Sequence, residues 1–146
     1  MSNTETAAVV RRYFEGDHDG RDNTEHWDEI CDARMTLFAA LLPTPLEGLE
    51  HVRAFTVAMH QAMSEFSLSV DEVIAEGDAA AARWTMRGRH TGTLALPTGM
   101  LNATGRTVVV TGMSFLRIAG GKLVEERVEA DWLGALQQLG VFPGPA

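Results

Sequence analysis

Along residues 80–91, Ala80, Ala82, Trp84, Met86, Gly88 and His90 fall on one parity, and Arg83, Thr85, Arg87, Arg89 and Thr91 fall on the other. A period of two sustained over this length specifies a long strand with one buried face and one wet, cationic face. The neighbouring segments repeat the theme. Ser67 to Ile74 reads as a strand that reaches it through a tight turn at Gly77-Asp78. Thr107 to Ile118 and Lys122 to Asp131 read as two more, linked by a Gly120-Gly121 hairpin turn.

The first half of the chain has the helical period instead. Ser2 and Glu5 have capping-box spacing, and Ala7, Val10 and Phe14 follow at helical intervals, which predicts a helix to about Glu15 that stops at Gly16. Residues 16–22 are polar and turn-rich, hence a loop. A short helix from about Thr24 to Cys31 would bury Trp27 and Ile30. A short strand from Arg34 to Ala40 ends before Pro43 and Pro45. A third helix opens near Gly48 and carries Val52, Phe55, Met59 and Met63 as a core-packing stripe. After the last strand, Trp132 to Leu139 forms a closing helix, stopped by Gly140 with Pro143 beyond.

Helices first and consecutive long strands afterwards predict an α+β fold. The helices must cover one face of a curved antiparallel sheet, giving a cone whose apolar interior suits a hydrophobic small molecule. The 146 residues fit a single domain spanning 1–146. An open sheet of this kind needs covering, so a homodimer or homotetramer packed sheet to sheet is expected.

Composition narrows the partners. The formal net charge of -8, with arginine scattered, argues against nucleic acid and against an anionic membrane surface. No apolar stretch is long enough to span a bilayer, and the polar start before the first helix lacks a signal-peptide core. A cytoplasmic protein is the expectation. The single cysteine, Cys31, reads as a small buried hydrophobe rather than a reactive thiol.

The usual cofactor and metal motifs do not occur. There is no G-x-G-x-x-G, no phosphate-binding loop and no H-E-x-x-H, so no metal and no nucleotide cofactor is expected. Gly112-Met113-Ser114 begins like a nucleophile elbow, but Leu116 stands where its second glycine belongs. In the last strand, Leu123, Glu125, Arg127, Glu129 and Asp131 share one parity, while Val124, Val128 and Ala130 share the other. Periodicity alone makes the charged stripe a solvent face, and a carboxylate before a helix is also a common N-cap.

Taken together, several segments resemble the SnoaL-like polyketide cyclases of the nuclear-transport-factor-2-like superfamily. They are Ala75-Glu76-Gly77-Asp78, Arg87-Gly88-Arg89-His90-Thr91-Gly92, Gly121-Lys122 and Asp131-x-x-Gly134-x-Leu136-x-Gln138-Leu139-Gly140. The resemblance runs from Tyr13 to Gly140. It implies a conical α+β barrel with a deep apolar pocket and a cofactor-free intramolecular aldol cyclisation. It makes Asp131 the acid/base, turns that residue inward and places His90 at the pocket, against the alternative of a core histidine. Trp84 and Met86 become pocket wall, and Tyr13 a residue presented to the ligand. Many members carry a tryptophan where this chain has Arg127. Arg127 then has two readings. It either faces inward beside Asp131 as a partner for a substrate oxygen, or faces outward, paired with Glu125 or Glu129. The departure leaves room for a polyketide hydroxylase or an epoxide-hydrolase-like enzyme, in which Arg127, Glu129 and Asp131 would act together. A non-catalytic ligand-binding module also fits the fold.

Overall fold

The predicted alternation becomes β4 (Ala79–His90), whose even-numbered side chains are buried while the arginines lie outside. The computed structural model describes residues 1–15, 24–96 and 99–142; the loop expected at residues 16–22 and the stop at Pro143 lie outside these. The remaining elements are α1 (Asn3–Phe14), α2 (Trp27–Ile30), β1 (Cys31–Ala39), β2 (Leu46–Glu47), α3 (Leu49–Ala62), β3 (Met63–Glu76), β5 (Leu94–Leu96), β6 (Gly99–Leu101), β7 (Thr107–Ala119), β8 (Lys122–Ala130) and α4 (Trp132–Gln138).

Six strands form one sheet in the order β2-β1-β8-β7-β4-β3, and β5-β6 is a separate hairpin. All pairings in the large sheet are antiparallel except β1 with β8. The sheet curls without closing. Two register shifts in β3, one with Glu65 at φ 53°, supply local bends. The hollow of the curl receives α1 and α3.

Local chemistry fixes the first and last helices. Ser2 Oγ accepts from the Glu5 amide at 3.0 Å, as its spacing predicts, and starts α1. Asn3 and the buried Thr6 then tie that helix to the β3–β4 turn, through the Gly77 N–H at 2.8 Å and the Gly77 carbonyl at 2.5 Å. At the other end of the chain, Gly140 (φ 77°) donates to the Gln137 carbonyl and Val141 to that of Leu136. This pair of bonds is a Schellman stop for α4.

Several expectations need correction: β3 runs Met63–Glu76 rather than Ser67 to Ile74, and α2 covers only Trp27–Ile30 rather than about Thr24 to Cys31. Strand β1 begins at Cys31 rather than Arg34, because Asp32 and Arg34 sit at an irregular, outward part of it where the register with β8 shifts. Helix α3 ends at Ala62, and Met63, expected on its stripe, is already extended and buried as a strand residue. The hairpin β5–β6 was not foreseen; its segments are only three residues each, too short for a period to show.

Candidate functional site

The geometry of the site starts from a bulge. Ile118 pairs with Leu123, but Arg117 pairs with Glu125, so Val124 is an extra residue on β8. An extra residue reverses which parity faces the core. Leu123 is fully buried on one side of the bulge, and Glu126 is buried on the other, only 5 % exposed. Arg127 and Glu129 face water.

Glu126 lines an apolar cavity of about 120 Å³ inside the curl. Its walls come from α1 and α2 (Tyr13, Phe14, Trp27), from α3 (Val52, Phe55, Met59, His60) and from the sheet (Leu68, Trp84, Met86, Val128), with Trp132 from α4. Two hydroxyls hold the carboxylate. Tyr13 Oη donates to Oε1 at 2.7 Å, and Ser114 Oγ donates to Oε2 at 2.6 Å. Behind Ser114, the Trp84 indole N–H donates to its hydroxyl at 3.0 Å. Tyr13 is itself stacked on Trp27, whose indole donates to the Tyr13 carbonyl at 2.9 Å. With a hydroxyl donating to each of its oxygens, the glutamate is both satisfied and oriented. Cys31 is buried nearby. Burial first, and then the charge of Glu126, push its thiol up to about 12, which makes it a poor nucleophile.

The structure brings Tyr13, Trp84 and Met86 to this cavity and keeps the other expected residues out of it. Asp131 does not turn inward. It is exposed, and its Oδ1 accepts from the Gly134 amide at 2.9 Å as the N-cap of α4. With Glu129, Arg83 and Asp71 it borders a cleft on the outer face of the sheet. Arg127 takes the outward of its two readings, 3.9 Å over the Phe38 ring with its Nε 3.3 Å from Glu125. Beyond the bulge, residues 127, 129 and 131 all follow the outward side.

His90 is fully buried but does not line the cavity. Its Nδ1 meets Thr104, accepting from the backbone N–H at 3.2 Å and lying 3.0 Å from the hydroxyl. Burial lowers the imidazole pKa from its ordinary 6.5, and the backbone of Gly92 partly offsets this. Glu126 itself was missed in the sequence, although position 126 belongs to the stripe of Val124, Val128 and Ala130. A lone acid on that apolar stripe was the available signal.

Among the described residues, no group of three or more His, Cys, Asp or Glu side chains is assembled to hold a metal ion. No helix among them is long and apolar enough to cross a membrane.

Solved structures of similar shape share this architecture. A proposed SnoaL-like polyketide cyclase from Jannaschia sp. CCS1 superposes with a TM-score of 0.81 at 21 % identity, covering 97 % of this chain and 95 % of its own. TsrD from Streptomyces laurentii gives 0.82 at 24 %, covering 97 % and 99 %. AclR, a proposed hydroxylase from Streptomyces galilaeus, gives 0.81 at 19 %, covering 99 % and 91 %. Among curated proteins, none matches the sequence significantly. The family model described as SnoaL-like polyketide cyclase matches residues 7–139. The chain belongs to the SnoaL-like polyketide cyclase family.

Proposed function

We propose that the protein is an enzyme that closes a ring in an apolar, polyketide-type carbonyl compound, with Glu126 rather than Asp131 moving the proton. The observation that carries this reading is one oriented, buried carboxylate in an otherwise greasy cavity. Glu126 takes a proton from a carbon flanked by two carbonyls. The enolate carbon then attacks another carbonyl of the same molecule, and Glu126 returns the proton to the new alkoxide oxygen. No atom enters or leaves, and no oxidant is required. The apolar walls exclude water and hold the chain folded on itself, which supplies the proximity part of the rate.

The test uses ethyl benzoylacetate, a β-keto ester with one aromatic ring. Deuterium uptake at its acidic carbon is expected to be accelerated by the wild-type protein. Glu126→Gln should lose that acceleration by about a hundredfold or more, the usual worth of a positioned acid/base. Asp131→Asn should keep it. Equal acceleration by Glu126→Gln would remove this residue from the chemistry. Similarity to AclR supports hydroxylation as a second reading; uptake of heavy oxygen from O2 into product separates the two.

A homodimer is part of the same proposal. The outer sheet face exposes Ile74, Met113 and Phe115. Arginines 83, 87 and 89 lie on its β4 side, and Glu129 and Asp131 on its β8 side. A two-fold axis running along β7 lays Arg83, Arg87 and Arg89 of one copy over Glu129 and Asp131 of the other, with Arg127 already paired to Glu125. Light scattering should give twice the chain mass, falling to one in Met113→Asp.

A further inference from the structure

Trp132 opens α4 and lines two spaces at once. One is the main cavity, and the other is a smaller void it shares with Met59 and Met86, both of which also line the cavity. Its indole Nε1 is sealed from solvent and has no hydrogen-bond partner among the described residues. The other two indoles of the chain are satisfied, Trp27 by the Tyr13 carbonyl and Trp84 by the Ser114 hydroxyl. A buried indole N–H ordinarily finds an acceptor, and one left without calls for a reason. The surrounding wall is almost wholly apolar, so the missing acceptor has to arrive with whatever fills the cavity.

We infer that the Trp132 indole N–H donates to an oxygen of the bound ligand, and that this oxygen is a carbonyl. The cavity then offers a ligand two complementary groups: the Glu126 carboxylate to meet an acidic C–H, and the Trp132 N–H to meet the oxygen on which charge gathers when that proton leaves. A donor fixed in place inside an apolar cavity stabilises such an oxyanion more than it stabilises the neutral carbonyl. The catalytic half of this assignment rests on Glu126 acting as proposed above. The binding half stands on the unpaired donor alone.

Size decides the probes. An engineered cavity of about 150 Å³ holds benzene, so a space of about 120 Å³ is on the scale of a single ring, and the probes are kept to one ring. Acetophenone carries a carbonyl acceptor, and α-methylstyrene has nearly the same shape with a methylene in place of the oxygen. The 146-residue chain, labelled at nitrogen for NMR, should show three indole cross-peaks, and that of Trp132 is to be assigned through bonds so that the result does not depend on a variant folding. Acetophenone should move this peak downfield to saturation, and α-methylstyrene should not. In Trp132→Phe, acetophenone affinity should fall about five- to tenfold, the usual worth of one neutral hydrogen bond, while α-methylstyrene affinity stays within about twofold. If acetophenone binds with the Trp132 peak unmoved and equal affinity in both proteins, the assignment fails and the Glu126 reading survives. If neither probe binds the wild-type protein, the cavity is no ligand site and both readings fall.

Discussion

The Tyr13 hydroxyl, on the first helix, donates to Glu126 Oε1 on the last strand at 2.7 Å, across 113 positions of the chain. One bond therefore anchors the helix layer to the sheet and also aims the carboxylate. Tyr13→Phe keeps the stack on Trp27 but withdraws the donor from a buried acid. Urea denaturation should show a loss of about 1–3 kcal/mol, the cost of leaving a buried acceptor without its donor. Deuterium uptake should weaken without vanishing, since Ser114 still holds the other oxygen. A variant as stable as wild type would mean that the phenol contributes nothing to holding the glutamate.

Asp131 tests the opposite role. As an exposed N-cap it should matter to stability and not to turnover. Asp131→Ala should cost about 1 kcal/mol, the typical worth of a cap, while Asp131→Asn, which can still accept from Gly134, should cost a few tenths. Loss of exchange activity in Asp131→Asn, with the fold intact by circular dichroism, would return this residue to the mechanism.

These two acids show how far the sequence could be read. The strands around Trp84 were legible because hydrophobic and charged residues alternate there without interruption, so burial on β4 follows parity at every even position. The same rule failed on β8 for a physical reason. A bulge at Val124 swaps the faces, and a bulge leaves no mark in residue type when its flanks are Leu123, Glu125 and Glu126. Counting from Leu123 puts Glu126 in water; counting from Val128 puts it in the core. The family resemblance implies catalysis at Asp131. The structure gives that carboxylate to a helix amide and leaves the interior to its neighbour five residues earlier. The Tyr13–Glu126 contact, being wholly non-local, had no sequence signature at all.

Burial of His90 predicts a pH dependence. Its folded pKa lies below the ordinary 6.5, so the unfolded chain takes up a proton first as pH falls. The contribution to stability is complete above 6.5 and is lost as pH drops below it. Comparing urea midpoints at about pH 7.5 and about pH 5.5, wild type should lose more than His90→Gln, which cannot titrate. Equal losses would show that this ring takes up its proton as readily folded as unfolded.

Gly112 on β7 sits directly behind the Trp84 ring. A Cβ there would stand 2.5 Å from two ring carbons, closer than any side chain tolerates. Gly112→Ala should therefore cost about 1–3 kcal/mol by overpacking. Because Trp84 is cavity wall, the displaced indole should also weaken acetophenone binding and disturb its bond to Ser114. Thermal melting and the NMR titration report the two effects separately.

The parallel pairing of β1 with β8 has a consequence for the birth of the protein. Residues near 36–39 wait for partners at 125–128, so the sheet cannot gain its middle until most of the chain has left the ribosome. Until then the half-built hollow shows its greasy lining to every passing chaperone. The buried Glu126 arrives on β8, the same late strand that completes this pairing.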